Sequence, residues 1–528
     1  MAAAVGGPLS TVLRRHEQRL ALGVAAAALL VLGAAPLVAL LAEIAAGWDQ
    51  ALAALGTARP LALLLRSLAL ALAVTALSLA GGVPLGVLVG RTDARGRGLA
   101  LLLHAFPVFL PPFLLALGWF QLLGARGLVG SAVTSGLLFS EAGVVFVLAA
   151  TFTPIATILV ALGLQAVDPG LEEAARVTAR PLRVVTRILV PIAAPAIALA
   201  ALIIFSLALS ELGVPMFLRV DTFPAAVFAR LGGVDYAPGE AIALVLPLVP
   251  VALALLAFER RFVGTRCFAV LGLRSGARER LPLGRWRGAA SATLWLVATL
   301  SVMPVAPLAW RAASGGGFAE VGSWLGRAPW NSLWTGAAAA TLIVAIGLVV
   351  GHGVARGAAG TRGLDTLCVL SFVAPAAVLG VGLIAVWNRP ALRWVYGTAG
   401  ILVVGYAARY AVIGVRTIGS LVAQTPVHVE EAAAAVGAGF GRRLFRILLP
   451  LHARGVGFAW LLALVFCLRD LELAVLYYPA GGEPLTVRIF TLEANGPEPV
   501  VAALAVVHVA MTAAVLGTGG WLLRRSET

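Results

Sequence analysis

The chain has 528 residues, of which 61% are hydrophobic and only 12% charged, and its mean hydropathy is +0.99. Soluble domains carry roughly 25% charged residues, so this composition excludes a large soluble enzyme. All 39 basic residues are arginine. Because a P-loop ATPase needs a lysine on the β/γ-phosphates, the chain itself is predicted not to hydrolyse ATP.

Apolar stretches long enough to cross a membrane recur along the whole chain. A bilayer core about 30 Å thick needs about 20 apolar residues per helix, and twelve stretches meet this length. The predicted fold is therefore an all-α polytopic membrane protein. The predicted spans are 21–46, 64–90, 98–122, 142–164, 191–213, 239–258, 288–310, 331–354, 364–387, 398–420, 450–477 and 499–523.

The arginines are unevenly distributed between the two sides of these spans. If the N-terminus is cytoplasmic, 26 arginines fall in inside segments and about ten in outside segments. Cytoplasmic loops of membrane proteins carry such an excess, so both termini are predicted to lie in the cytoplasm. The net charge of +15 is then explained by topology, and no nucleic-acid partner is predicted.

The chain contains an internal repeat. The residues from Glu172 to Pro191 return as Glu430 to Pro450, at an offset of 258 to 259, and Ser67 corresponds to Ser332. Chance similarity between alanine-rich helices is the alternative, but the glutamates, arginines and proline all keep their spacing. The repeat predicts a first six-helix repeat at 1–258, a basic cytoplasmic linker at 259–287 and a second six-helix repeat at 288–528, with both repeats in the same orientation.

The repeated segment follows the fourth span of each half and is predicted to be cytoplasmic. Alanine and glutamate favour helix, and acidic residues favour the first turn. We expect a short amphipathic helix on the membrane surface. It could dock a partner through its alanines and glutamates, or it could be an interfacial tether between two spans.

These residues resemble the EAA loop of ABC importer permeases. The second copy, EEAAAAVGAGFGRRLFRILLP at 430–450, matches the pattern well, whereas the first copy lacks the glycine and has Val190 in place of leucine. The resemblance implies a type I ABC importer-like fold, with two ATPase subunits that bind these loops and a periplasmic or extracellular solute-binding protein. The residues that it assigns to ATPase coupling are Glu172, Glu173, Ala174, Ala175, Glu430, Glu431, Ala432, Ala433 and Gly437.

Four of the charged residues within the predicted spans are candidates for a functional role. Glu211 and Asp470 occupy equivalent positions toward the outer end of the fifth span of each half, Arg469 precedes Asp470, and Arg409 lies in the middle of a span. Ionisable groups in a membrane are costly and often functional, so these four are candidates for the translocation path. Alternatively, Asp470 pairs with an arginine, Glu211 lies at the water interface, and Arg409 neutralises a carboxylate between helices.

The fused layout is similar to the permeases for ferric iron, thiamine and aminoethylphosphonate. The segments at 209–223 and 468–490 look most like the ferric iron branch, so ferric iron is the expected solute and the inner membrane the expected location. No catalytic set and no metal site is predicted from the residues. No cofactor is predicted either, because ATP would be used by the partner subunit. The alternatives are an ion-coupled secondary transporter with two parallel halves and a membrane enzyme, for which clustered polar catalytic groups are missing.

Overall fold

The structure, a computed structural model, describes residues 8–49, 56, 58–165, 181–232, 244–263 and 280–525. Across these ranges the regular structure is helical, with a single isolated bridge between Thr92 and Leu281. Six helices are long and apolar enough to cross a membrane, and eleven spans result if each of five bent helix pairs counts as one. The all-α class is therefore confirmed. The twelfth predicted span, 239–258, lies partly outside the described residues.

The helices follow the order expected for two tandem halves. In the first half they are Pro8–Leu29, Leu30–Ala34, Ala35–Ala46, Ala58–Arg91, Arg97–Ala105, Phe106–Phe109, Pro112–Leu123, Ala132–Leu138, Glu141–Gln165, Pro181–Val184, Val185–Leu189, Val190–Ile192, Ala194–Ser210, Gly213–Phe217, Phe223–Gly232, Leu248–Phe258 and Glu259–Val263. In the second half they are Gly284–Trp286, Arg287–Val302, Val305–Ser314, Gly317–Leu325, Ala328–Ala355, Thr361–Val373, Ala376–Trp387, Pro390–Leu392, Arg393–Tyr396, Gly400–Ala423, Val427–Ala435, Phe440–Arg443, Leu444–Leu448, Leu449–Leu451, Ala453–Arg469, Ala474–Tyr477, Leu485–Glu493 and Glu498–Arg525.

The third span of each half is broken, although the sequence predicts continuous spans at 98–122 and 364–387. The two parts of the span meet at 106° in the first half and at 110° in the second. The breaks fall at Pro111 and Pro375, whose backbones are extended (ψ 129° and 140°). Proline lacks the N–H that continues a helix and disfavours helical geometry in the residue before it. The equivalent positions of the two breaks support the repeat.

Within each half, the second and fourth spans pack along stripes of small residues. A Cβ added to Gly82 would lie 2.4 Å from the Cβ of Ala156, and one added to Gly347 would lie 2.5 Å from the carbonyl carbon of Gly414. Small residues let helix backbones approach closely in membranes. The same pair of spans therefore forms a tight core in both halves.

The two halves cross each other reciprocally. The helix Ala35–Ala46 of the first span packs against Ala376–Trp387 of the second half, and Val305–Ser314 packs against Pro112–Leu123 of the first. The first span of each half is thus held against the third span of the other half.

A network of buried charges also joins the halves. Arg416 contacts Asp365 at 2.7 Å (Nη2 to Oδ2) and Glu259 at 3.1 Å. Arg260, beside Glu259, reaches Asp365 at 3.4 Å. Glu259 and Arg260 lie at the end of the sixth span of the first half, whereas Asp365 and Arg416 belong to the second half. A buried carboxylate requires such pairing, so this network fixes the sixth span against the second half.

Candidate functional site

The coupling segment of the second half forms the helix Val427–Ala435. Pro426, with an extended backbone, occupies the N-cap position. The helix ends at Gly437, whose φ is +94°. Gly437 N donates to Ala434 O at 3.1 Å and Ala438 N donates to Ala433 O at 3.0 Å. Glycine is favoured at this left-handed position because it has no Cβ, which explains why the EAA pattern has a glycine here.

Glu430 lies on the inner face of this helix and is buried. His352 Nε2 and Arg356 Nε each lie 2.8 Å from its carboxylate, and Arg443 Nη1 lies at 3.8 Å. Burial alone raises the pKa of Glu430, but the hydrogen bonds and charges of His352 and Arg356 outweigh it and lower that pKa to about 2. An ionised carboxylate only accepts hydrogen bonds, so His352 Nε2 donates. Glu430 therefore ties the coupling helix to the end of the second span.

The opposite face of the helix is exposed. Glu431 and Ala432 are both exposed, and the apolar side chains Val427 and Val436 beside them are 50% and 87% exposed. Of the two glutamates that the sequence marks as acceptors for a partner, only Glu431 faces outward. The exposed surface combines small, apolar and acidic groups, which is a composition suited to a protein partner rather than to the anionic membrane surface.

The chain after the coupling helix is held by the first span. The carboxylate of Glu17 accepts a hydrogen bond from Phe440 N at 2.8 Å, where a new helix begins. A Cβ added to Gly439 would lie 2.5 Å from that carboxylate. The ring of Phe440 packs edge-on to His352 at 5.4 Å between centroids. These contacts connect the coupling segment of the second half to the first half.

The first copy of the coupling segment, with Glu172, Glu173, Ala174 and Ala175, lies outside the described residues. The described chain resumes at Pro181–Val184. Val184 and Leu189 there pack in one apolar cluster with Leu281 from the region before the second half. The segment that follows this copy therefore packs against the linker between the halves.

Glu211 and Asp470, the equivalent acidic residues, play the same local structural part. Each follows its fifth span and accepts a hydrogen bond from the backbone N–H three residues later: Glu211 from Val214 at 3.2 Å and Asp470 from Leu473 at 2.9 Å. Each thus holds the turn that leads into a short helix, Gly213–Phe217 or Ala474–Tyr477. Both side chains are buried, with 2% and 1% of their surface exposed, so Glu211 does not lie at a water interface.

Arg409 and Tyr410 contact Asp470, whereas Arg469 contacts the first half. Tyr410 Oη donates to Asp470 Oδ2 at 2.5 Å, and Arg409 Nη1 lies 3.6 Å from the same oxygen. Arg469 Nη1 donates to the carbonyl of Val108 in the first half at 2.6 Å. The structure therefore brings Arg409 and Asp470 together and adds Tyr410, and it places Arg469 against the first half.

Glu472 is a member of this group that the sequence analysis missed. It interacts with the carboxyl of Glu211 from the opposite half. Where the two halves meet, Gly213 also lies close to Leu471: a Cβ on this glycine would be 2.8 Å from Leu471 Cδ2. The pattern Asp470-Leu471-Glu472 was a signal in the sequence, because a second acidic residue in the same loop after a span is unusual.

In the ranges that the structure describes, no group of three or more His, Cys, Asp or Glu side chains is arranged to hold a metal ion. Tyr410, Asp470 and Glu211 are buried where the halves meet and Glu472 beside them is half-buried, near the break at Pro111, where the Val108 carbonyl accepts from Arg469.

Two tandem helical halves with reciprocal crossings, and up to eleven membrane spans in the described ranges, define a multi-pass membrane protein. The family of binding-protein-dependent transport system inner membrane components matches at residues 82–264, and a probable molybdenum ABC transporter permease of Haloferax volcanii is 30% identical over 184 residues, covering 34% of this chain and 68% of the relative. The chain belongs to this family of ABC importer permeases and is a multi-pass inner-membrane protein.

Two longer matches are to ferric transport permeases. A putative ferric transport system permease protein of Haemophilus influenzae is 24% identical over 413 residues, covering 71% of this chain and 63% of the relative. A ferric transport system permease protein of Actinobacillus pleuropneumoniae is 22% identical over 513 residues, covering 90% and 73%. The chain thus spans less than two thirds of the length of the first of these relatives.

Proposed function

We propose that the chain forms the translocation path of an ATP-driven importer that moves ferric iron from an external binding protein into the cytoplasm by alternating access. The observation that carries the proposal is the exposed coupling face around Glu431, held rigidly by Glu430, in a chain of the importer permease family. The two long matches to ferric transport permeases support iron as the solute.

The coupling role is assigned to both copies of the repeated segment. In this proposal one ATPase subunit binds at Glu172, Glu173, Ala174 and Ala175, and a second binds at Glu431, Ala432 and Ala433. Gly437 ends the docking helix, and Glu430 holds it in position. Each ATPase subunit hydrolyses ATP, so the chain needs no cofactor of its own. Both termini and the linker at 259–287 then lie in the cytoplasm, and lipid surrounds the two repeats at 1–258 and 288–528.

The path is assigned to the centre between the halves. Glu211, Arg409, Arg469 and Asp470 line it in this proposal, because they are buried charged residues where the halves meet, and a membrane interior otherwise excludes charge. The breaks at Pro111 and Pro375 lie in the spans that surround this centre. Irregular backbone at membrane depth is tolerated where it is buried in protein or lines a cavity.

The proposal is tested by solute uptake in native cells. A strain that lacks the chain is complemented with wild type, and accumulation of radioactive iron, molybdate and 2-aminoethylphosphonate is measured at limiting concentration. The expected result is that iron alone depends on the chain and on ATP. Uptake of another solute instead of iron would contradict the ferric assignment, and iron uptake that survives ATP depletion while an ion gradient is maintained would contradict the ATP-driven mechanism.

The partners are tested separately. Affinity purification of the chain from membranes in mild detergent should recover an ABC ATPase at two copies per chain. The variant Glu431→Lys should recover less of this subunit, whereas the charge reversal Glu320→Lys, at an exposed glutamate in the helix Gly317–Leu325, should recover as much as wild type. Equal recovery by the two variants would contradict the assigned docking face.

A further inference from the structure

We propose that two elbows of the chain, residues 181–192 and 440–451, each bind the phosphate headgroup of an anionic phospholipid. An elbow is the short helical stretch between the coupling segment and the fifth span of each half. This inference goes beyond the proposed function, because lipid binding requires neither the solute nor the ATPase. Only the identity of the leaflet, the cytoplasmic one, rests on the proposed orientation.

Both elbows meet their fifth spans at a sharp angle. The helical stretch Val185–Ile192 lies at 63° to Ala194–Ser210, and Phe440–Leu451 lies at 86° to Ala453–Arg469. A helix that turns by such an angle at the end of a span runs along the membrane surface instead of continuing through the bilayer. The elbows therefore lie at the level of the lipid headgroups, as interfacial helices do.

Each elbow carries two exposed arginines four residues apart. They are Arg183 and Arg187 in the first half and Arg442 and Arg446 in the second, and both keep the offset of 259 that relates the halves. Residues four apart are neighbours on the surface of a helix. The same pair of guanidinium groups is thus presented at the same place in both halves.

These charges are not neutralised within the part of the chain that the structure describes. The neighbouring Arg443 turns inward and lies 3.8 Å from Glu430, and Arg356 lies 2.8 Å from the same carboxylate. By contrast, no carboxylate of the described residues lies within ion-pair distance of the four elbow arginines. The outward charge of each elbow is therefore positive and open to a partner.

Exposed apolar side chains accompany the arginines. Phe445 is 60% exposed, and at the junction with the fifth span Leu451 and its equivalent Ile192 are 58% and 44% exposed. The opposite face is anchored in the protein by the equivalent buried residues Leu189 and Leu448. A surface of apolar and basic groups suits the membrane interface, where acyl chains cover the apolar groups and anionic headgroups meet the charges. A soluble anion would leave the apolar groups uncovered.

The chemistry of the pair selects an anionic phospholipid. A guanidinium group donates two parallel hydrogen bonds to phosphate oxygens, and two such groups on one face can hold one phosphate between them. Phosphatidylglycerol keeps the negative charge of its phosphate, whereas phosphatidylcholine cancels it with its own ammonium group. Each elbow is therefore expected to prefer phosphatidylglycerol.

The elbow of the second half adjoins a surface of opposite charge. The coupling helix Val427–Ala435 exposes Glu431, and the chain passes from it through Gly437 into the elbow. The acidic surface repels an anionic membrane, whereas the basic elbow attracts it. Lipid bound at the elbow would hold this point at the membrane surface, so that a displacement of the coupling helix would turn the fifth span about it.

The test is native mass spectrometry of the full chain in nonionic detergent, titrated with phosphatidylglycerol or with phosphatidylcholine. Wild type is expected to retain two phosphatidylglycerol molecules at concentrations where phosphatidylcholine is not retained. The double variants Arg183→Gln/Arg187→Gln and Arg442→Gln/Arg446→Gln should each weaken one of the two sites by at least about tenfold. The corresponding double lysine variants, which keep the charge but lose the planar fork, should bind with intermediate affinity.

The matched control is the double variant Arg95→Gln/Arg362→Gln. It removes the same charge from two other exposed arginines, one in each half, and should retain both lipids with wild-type affinity. All variants are compared as monodisperse protein on size exclusion. If a glutamine variant does not fold, the lysine variants and the selectivity of wild type for phosphatidylglycerol decide the question.

Several outcomes would overturn the inference. Equal retention of the two lipids by wild type would show that only the apolar contact matters, and equal losses in the control variant would show a general effect of surface charge. Displacement of phosphatidylglycerol by inorganic phosphate would show a site for a free anion. Unchanged lipid binding in the elbow variants, together with lower recovery of the ATPase, would show that these arginines bind the ATPase instead. Since iron uptake is not measured, failure of the ferric assignment would leave this result unaffected.

Discussion

The hydroxyl oxygens of Ser67 and Ser332 accept equivalent hydrogen bonds in the two halves. Ser67 Oγ accepts from Phe223 N at 2.8 Å, and Ser332 Oγ accepts from Leu485 N at 2.8 Å. In both cases the second span of a half holds the start of the helix that follows the turn at Glu211 or Asp470. The internal repeat is therefore preserved in individual contacts as well as in the order of helices, although each half has kept different charges.

The first prediction concerns the exposed glutamate of the coupling helix. Glu431→Lys reverses the charge of the outward face without touching the buried network of Glu430. If the ATPase binds there, uptake should fall by at least about tenfold, since a loss of about 1.4 kcal/mol of docking free energy gives that factor. Membrane abundance, measured by immunoblot, should be unchanged, and Glu320→Lys serves as the charge-reversal control. Normal uptake by Glu431→Lys at equal abundance would refute the docking assignment.

The second prediction concerns the buried glutamate next to it. Glu430→Gln removes the charge that pairs with His352 and Arg356, and breaking a buried ion pair typically costs about 3 kcal/mol. The variant should have a clearly lower Tm than wild type in detergent. Its uptake rate should fall in proportion to the loss of stability, because Glu430 positions the coupling helix and does not face a partner.

The same pair sets a pH dependence. The pKa of Glu430 is lowered to about 2 in the folded protein, so the pair contributes its full stability above the ordinary pKa of the unfolded chain, near 4.5. That contribution is lost as the pH falls from there through about 2. The difference in Tm between wild type and Glu430→Gln should be constant between about pH 5 and 8 and should narrow below about pH 4. A difference that stayed constant into the acid range would contradict the ion pair.

Much of the fold follows from the sequence because apolar length and arginine distribution are local signals. The repeat at Glu172 and Glu430, and the equivalence of Ser67 and Ser332, can be read directly from residue spacing. Glu211 and Asp470 can be recognised from the sequence as candidate functional residues, because a charge within a membrane span is costly wherever the span lies. These inferences need no knowledge of which helices touch.

The features that sequence could not predict all depend on contacts between distant segments. The inward rotation of Glu430 is set by His352 and Arg356, more than 70 residues earlier, and the role of Glu472 arises only when the halves meet. The sharp breaks at Pro111 and Pro375 show the same limit: proline predicts a kink, but an angle above 100° depends on what packs around both parts of the span.

The third prediction concerns the buried charges that join the halves. Asp365→Asn removes the carboxylate that Arg416 and Arg260 share, and Arg416 keeps its contact with Glu259. We expect destabilisation of about 3 kcal/mol, because an incompletely paired charge stays buried, seen as a lower Tm and as easier proteolysis between the halves. Glu498→Gln removes an ion pair with Arg311 whose side chains are 47% and 40% exposed, and this control should change stability by less than about 1 kcal/mol. Similar effects for the two variants would contradict a structural role for the buried network.

The last prediction concerns the reciprocal crossing of the halves. A Cβ added to Gly118 would lie 2.1 Å from the carbonyl oxygen of Pro304, and one added to Gly382 would lie 2.4 Å from that of Pro36. Both distances are shorter than any real contact between a Cβ and an oxygen atom, and both oxygens belong to the backbone, which cannot move aside as a side chain can. Alanine at either position must therefore push a first span away from the opposing third span. Overpacking of this kind costs about 1–3 kcal/mol.

Gly118→Ala and Gly382→Ala should therefore both lower Tm, and the double variant should show nearly additive losses because the two crossings are separate contacts. Gly136→Ala is the matched control, since a Cβ there meets nothing within 4 Å and alanine favours the helix Ala132–Leu138. Stability and uptake should be measured on the same membranes. If the crossings hold the halves in register, Gly118→Ala and Gly382→Ala should lose uptake even at temperatures where they remain folded. Wild-type uptake and wild-type Tm in both variants would show that the first spans are not held against the opposing halves.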